Sequence, residues 1–300
     1  MKRKVIKQAN QAFTITLPIE WVRKNKINQN SEVEISDEGK SLVIINNKEI
    51  EKTKAKLNAD TLNQREISRT INSFYARGID EIEISSKSDI SSNIVSSLRH
   101  TIGYALVSQE KEIYSIQDMG GTNYSDLDGI FKRVFQMVLL FYESAITDIF
   151  GKEKETIESL ISRDTEVNKF CLYLQRAINK MSYPKAIDGR ILFTYSFALE
   201  KIGDEIQRMW RTNVKYKIKK TPQIQELMKI SFEGLSKAFD FYYQFKLSTA
   251  GEIYKLREEV RTKSLNLLKI NPPTARFVRH IVKIIEDAAD LSHLTLMMKA

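Results

Sequence analysis

From residue 125 to residue 298, apolar side chains recur at helical spacing in six long runs, at 125–150, 152–182, 186–214, 222–248, 250–269 and 273–298. The runs are separated at Gly151, Tyr183-Pro184, Lys220-Thr221-Pro222, Ala250-Gly251 and Pro272-Pro273. Proline cannot continue a helix and glycine suits its C-terminal cap, so each break ends one helix and releases the next. Long amphipathic helices on short connections must lie antiparallel and bury a common stripe. This half therefore predicts a six-helix bundle, divisible into two sets of three. Deep in the third run, Leu199, Ile202, Ile206 and Met209 form an apolar stripe. Glu200 and Asp204 stand four residues apart, one turn above the other on a single face. Like charges at that spacing repel. A cation or basic side chain opposite them would relieve the repulsion; the plain alternative is a solvated helix face. Gly203, between them, lets a neighbouring helix or an ion come close. The same four-residue spacing recurs with Asp164 and Asn168 in the second run and with Glu286 and Asp290 in the sixth.

The first fifty residues have another grammar. Ala12 to Leu17 alternates and is rich in β-branched and aromatic residues, as a strand does. Pro18 ends it and opens a short helix, Ile19 to Lys26, which Thr16 is placed to cap. Glu32 to Ile35 and Ser41 to Ile45 are two further strands around an Asp37-Glu38-Gly39 turn. The order is strand, strand, short helix, strand, strand, with Trp21 expected in the core. So little apolar area predicts a dimer. Charge is concentrated here: residues 1–26 hold seven cations against Glu20 alone, a net +6 within a chain of +9. A basic cluster of that density suits a polyanion such as duplex DNA, with Lys2, Arg3, Lys4, Lys7, Arg23 and Lys24 as the contacts.

Between these halves, residues 46–63 read as a polar connector. Arg65–Arg77 reads as an amphipathic helix stopped by Gly78, 79–84 as a strand, 92–104 as a second helix, and 112–116 as a second strand. The chain thus divides as 1–48, 49–121 and 122–300. No glycine-rich phosphate loop follows a strand, and no nucleophile stands with a base, so no enzyme chemistry is required. The single cysteine, Cys171, excludes an internal disulfide. No apolar run is long enough for a membrane span and the N-terminus lacks a signal-peptide core, which predicts a cytoplasmic protein without membrane insertion. The basic run Arg208, Arg211, Lys215, Lys217, Lys219 and Lys220 closes the third helix, where cations complement the helix dipole.

Two resemblances cover essentially the whole chain. Lys4-Val5-Ile6, Thr14-Ile15-Thr16-Leu17-Pro18-Ile19-Glu20-Trp21-Val22, Ser31–Ile35 and Gly39–Ile44 resemble the SpoVT-AbrB DNA-binding domain. That resemblance implies an interleaved, swapped-hairpin dimer with a basic face on DNA. Asn30-Ser31 replaces the family's Gly-Asp turn; asparagine tolerates the positive φ that such a turn needs. Leu199-Glu200-Lys201-Ile202-Gly203-Asp204 resembles the signature of PhoU, the phosphate-uptake regulators, and Arg163 to Asn168 resembles a second element of that family. Ser73–Asp80 and Arg99–Gly103 are similar to archaeal PhoU-like regulators. Lys283-Ile284-Ile285-Glu286 repeats the signature weakly, and Arg257 and Arg261 stand at both acid positions of the fifth helix.

The resemblance implies two three-helix repeats and metal held by Asp164, Asn168, Glu200 and Asp204, with Glu286 and Asp290 as a degenerate second site. Carboxylates without histidine or cysteine suit magnesium, manganese or iron. No organic cofactor is expected. The fold class is α+β, predominantly α. The implied function is a DNA-binding transcriptional regulator of phosphate uptake, with the helices sensing a metal, an effector or a partner. The alternative is an adaptor that docks on a phosphate transporter or sensor kinase without touching DNA.

Overall fold

A computed structural model describes residues 2–8, 12–37, 41–46, 52–120, 126–180 and 186–300. The chain divides into two compact units, 1–52 and 53–300.

In the smaller unit, β1 (Ile6–Gln8) pairs antiparallel with β2 (Ala12–Thr14), and β3 (Glu34–Asp37) pairs antiparallel with β4 (Leu42–Ile45). They are two separate ladders, with α1 (Ile19–Lys24) between them in sequence. The order is the one read from the sequence. The cap is not: Pro18 holds the N-cap position without any side-chain bond, and Thr16 plays no part. Asn30 adopts φ +69°, the left-handed turn that the replaced glycine demanded. The turn at 38–40 lies outside the described residues. No described residue of this unit is buried, and Trp21 is only half-buried. Phe13, Leu42 and Ile35 are exposed at 66%, 63% and 60%. Two ladders with their apolar side chains in water are an unfinished core.

The larger unit begins with a four-stranded sheet. Its strands are β5 (Lys54–Asn58), β6 (Glu81–Ser85), β7 (Tyr104–Glu110) and β8 (Ile113–Asp118), in the order β5-β6-β8-β7. β5 and β6 run parallel, joined through α2 (Gln64–Arg77), as a crossover helix allows; the other pairs are antiparallel. The sequence reading found two of these four strands. β5 was hidden inside a lysine-rich connector, because Ala55 and Leu57 make a thin apolar face. Its lysines face outward and pair with the next strand, Lys54 with Glu81 at 2.6 Å and Lys56 with Glu83 at 2.7 Å. β7 has no counterpart among the expected elements beyond Tyr104, where the helix expected over 92–104 ends. That helix, α3, covers only Ser91–Leu98, and Gly103 at φ +90° turns the chain back into the sheet. α2 is held by a capping box between Asn63 and Glu66 and ends on Gly78 at φ +93°.

Six helices follow: α4 (Leu127–Phe150), α5 (Ile157–Lys180), α6 (Ala186–Tyr216), α7 (Pro222–Tyr243), α8 (Ser248–Ser264) and α9 (Pro272–Lys299). These are the six predicted runs, with α5 starting later because Asp148 takes the 153–155 segment, accepting from Lys154 N and Glu155 N. One hydrophobic core runs through them, around Phe131, Tyr195, Trp210, Phe241 and Phe277.

The sequence sets 49–121 apart from 122–300; in the structure one compact unit spans 53–300 and takes in the sheet layer and the helices together. Arg176 of α5 joins them. Its guanidinium is wholly buried and donates to Asp118 at 2.6 Å, to Asp80 at 3.2 Å, and to the carbonyls of Ile79 and Tyr75 at 2.6 and 3.0 Å. It also lies over the rings of Tyr75 and Tyr104, at 4.9 and 5.2 Å from their centroids. Removing one partner from a buried ion pair leaves the other charge uncompensated. Arg176→Met, similar in bulk, should therefore lower stability by about 3–5 kcal/mol. Urea unfolding at pH 7 measures this, and a loss below 1 kcal/mol would mean that Asp80 and Asp118 are held by other groups.

Candidate functional site

α5 and α6 approach closely at Gly203, where an added Cβ would meet Val167 Cγ1 at 3.3 Å and Asp164 Oδ1 at 4.0 Å. The missing side chain lets α5 lean in, and that contact sets Asp164 beside the acid pair of α6. Asp164 is buried. Burial, then the charges of Asp204 and Glu200, push its carboxyl up to about 7. Glu200 is also raised, by burial and then by Asp204. Asp204 is raised by burial against the opposing pull of Arg208. Asn168 Nδ2 donates to Asp164 Oδ2 at 3.1 Å, while Asp164 Oδ1 and Asn168 Oδ1 are buried without a partner. Arg208 donates to Asp204, and to Glu205 at 2.7 Å; Glu205 in turn meets His280 Nδ1 at 2.6 Å. The acid face is thus half-buried, not solvated. Its repulsion is relieved by a retained proton and by an arginine on the same helix.

The matching face of the second set of helices is arranged differently. Glu286 accepts two bonds from Arg261, at 2.8 and 3.0 Å, and Asp290 is exposed. The buried acid there is Asp287, which accepts from Lys283 at 2.7 Å and has one oxygen unpartnered. In the smaller unit Lys2, Arg3, Lys4 and Lys7 lie exposed on and before β1, and Arg23 and Lys24 lie exposed at the end of α1. Among the described residues none of these six forms an ion pair.

The comparisons with known proteins agree with this division. Residues 6–52 match the family model of antidote-toxin recognition MazE, a bacterial antitoxin. The head is a MazE/SpoVT-AbrB-type module. The phosphate transport system regulatory protein PhoU from Streptococcus pneumoniae has a similar structure, with a TM-score of 0.51 at 15% identity over 58% of this chain and 94% of that one. At that identity the likeness is one of fold: the helices of the larger unit are PhoU-like. No curated protein matches the chain.

The donors around Asp164 are carboxylate oxygens, which suit a hard cation. Their placement does not complete a ligand set: among the described residues no three histidine, cysteine, aspartate or glutamate side chains group as metal ligands. Arg208 already supplies a positive charge to Asp204. No helix of the described residues is long and apolar enough to cross a membrane.

Two features escaped the sequence reading. One is a cleft between α2, α5 and α6 that includes Asn72 and Gln175. The other is a groove between α6 and α9 in which Arg276 and Arg279 join Arg208 and Lys283. Both depend on which helices become neighbours, and no local spacing signals that.

Asp164 gives a signed test. Between the unfolded carboxyl near 3.8 and the folded value of about 7, the folded chain keeps a proton that the unfolded chain has released. Stability should therefore fall as pH rises through that window, and the full penalty stands above it. Asp164→Asn should flatten the slope and stabilise the chain at pH 8 by on the order of a few kcal/mol. Denaturation between pH 4.5 and 8 checks it; identical slopes in both proteins would show that Asp164 ionises freely.

Proposed function

We propose that this chain is a dimeric, DNA-binding transcriptional regulator of phosphate uptake, in which the head holds DNA and the PhoU-like helices carry an effector response. One observation carries the reading: a basic head of MazE/SpoVT-AbrB type, its apolar side chains still in water, is fused to a unit with the PhoU fold. A second copy covering Phe13, Ile35 and Leu42 would complete the core and place two sets of six cations on one assembly. Contacts of lysine and arginine with phosphates supply affinity without sequence information, so the head alone accounts for holding DNA, not for choosing an operator. The adaptor reading, with a transporter or sensor kinase as partner, shares the fold and differs only in lacking DNA affinity.

The full-length chain should bind duplex DNA with a steep salt dependence. Lys4→Ala with Lys7→Ala should weaken binding on all sequences alike and lower the slope of log K against log salt by about two for each protomer on the DNA, about four for the dimer, since each phosphate contact contributes roughly one. Fluorescence anisotropy over a salt series measures this. No binding at low salt would favour the adaptor.

The dimer has its own measurement. Phe13→Asp should convert the full-length chain from dimer to monomer in sedimentation. An unchanged dimer would place the contact elsewhere.

A cation at Asp164, Glu200 and Asp204, with Asn168 beside them, is a second reading, favoured by the unpartnered Asp164 Oδ1. Magnesium, manganese or iron there would replace the retained proton and displace Arg208 from Asp204. Elemental analysis after dialysis against manganese should find less metal on Asp164→Asn than on the unchanged chain. Equal content would leave the proton and Arg208 as the only neutralising groups.

A further inference from the structure

The groove between α6 and α9 has a volume of about 600 Å³, within the range of about 300–1,000 Å³ usual for small-molecule sites. Four cations line it, Arg208, Arg276, Arg279 and Lys283, against one acid, Glu205, a net +3 with His280 neutral. That acid is already engaged, accepting from Arg208 at 2.7 Å and meeting His280 Nδ1 at 2.6 Å. Arg208 and Lys283 also bond acids of their own helices, Asp204 and Asp287. Arg276 and Arg279 are different: both are exposed, and among the described residues neither forms an ion pair. The local sequence offers them no relief. Arg276, Arg279, His280 and Lys283 stand at i, i+3, i+4 and i+7, one stripe of a helix, and α9 holds no acid from Pro272 to Ile285. Like charges at those spacings destabilise a helix, and the positive end of the helix dipole lies at the same end. Elsewhere on the bundle Arg261 bonds Glu286 and Arg163 bonds Glu155, each at 2.8 Å. A basic stripe that faces a groove instead of an acid is arranged for an anion from outside.

We propose that this groove binds an oligophosphate, a small anion with two or more phosphate groups in a row. Its oxygens would accept from the guanidinium groups of Arg276 and Arg279, with Arg208 and Lys283 beside the neighbouring phosphates. Arginine presents paired donors that match phosphate oxygens. Both side chains are open to solvent, so an anion reaches them directly. The charge sets the size of the ligand: a single phosphate carries at most about two negative charges near neutrality, which leaves the lining positive, and a run of phosphates supplies the remainder. A concave basic wall also concentrates anions from solution. No phenylalanine, tyrosine or tryptophan lines the groove among the described residues, so nothing there calls for a base. As the effector of the regulator proposed above, the anion rests on that reading; its binding does not.

The test uses the full-length chain and calorimetry at fixed ionic strength with tripolyphosphate, pyrophosphate, inorganic phosphate and sulfate. Tripolyphosphate should bind saturably, more tightly than pyrophosphate, with phosphate and sulfate weakest. Arg276→Gln with Arg279→Gln should lower tripolyphosphate affinity about tenfold or more. Both positions are exposed and their charges repel, so the ligand-free double variant should melt no lower than the unchanged chain. Lys229→Gln with Lys255→Gln removes the same charge from exposed positions on α7 and α8, outside the groove, and should leave the affinity within about twofold. Loss of DNA affinity with tripolyphosphate still bound would count against the DNA-binding reading alone. Any of four results overturns the oligophosphate site: no saturable tripolyphosphate binding at millimolar concentration, sulfate or phosphate binding as tightly, equal weakening by the two double variants, or tripolyphosphate binding unchanged by Arg276→Gln with Arg279→Gln while duplex DNA binding weakens, which would assign these arginines to nucleic acid.

Discussion

A wholly buried guanidinium is tolerated only if its donors find oxygens, and Arg176 finds them across a seam. Its partners, Asp80, Asp118 and the carbonyls of Tyr75 and Ile79, all belong to the sheet layer, while its own backbone belongs to α5. Nearby contacts run the same way. Lys180 of α5 bonds Asp80, and Asn179 donates to the carbonyl of Ala76 at 2.7 Å. Asp80 shows how the seam works electrostatically. Burial alone would raise its carboxyl, but Lys180 and the bonds from Thr53 outweigh that and hold it below the usual carboxylate range. A small α/β layer and a helical bundle are thereby fused, and the cleft lined by Asn72 and Gln175 exists only because they are.

The same helix carries the other charge problem of the molecule. More than three turns before Arg176, Asp164 faces Glu200 and Asp204 across the contact that Gly203 permits. Where Arg176 is satisfied by acids from the layer, the acids gathered around Asp164 outnumber the cations that reach them, and Arg208 serves both Asp204 and Glu205. A surplus of acid that keeps a proton near neutrality is a natural place for a response to pH or to a cation.

Much of this was legible in the sequence. Six helical runs with proline and glycine breaks marked α4 to α9, because periodicity over twenty residues is a strong signal. Asn30 could be read as a left-handed turn from its residue type alone. β5 and β7 could not be read: one shows an apolar face of only Ala55 and Leu57, and the other follows a short helix that ends at Leu98 with no proline or glycine to mark the end before Gly103. The acid pair Glu200 and Asp204 was visible as spacing. Its burial was not, since that depends on which helix arrives at Gly203. Gln175 gave no signal at all, because a buried glutamine is recognised by its neighbours, and its neighbours come from three helices.

If the seam at Arg176 makes residues 53–300 a single body, the layer cannot open without the bundle. Native-state hydrogen exchange on the full-length chain tests this directly. The amides of Ile71 in α2, Ile84 in β6 and Leu174 in α5 should share one opening free energy and respond alike to denaturant. Exchange of Ile71 and Ile84 through a cheaper opening, with Leu174 still protected, would show that the layer is only docked on the bundle and would contradict the account.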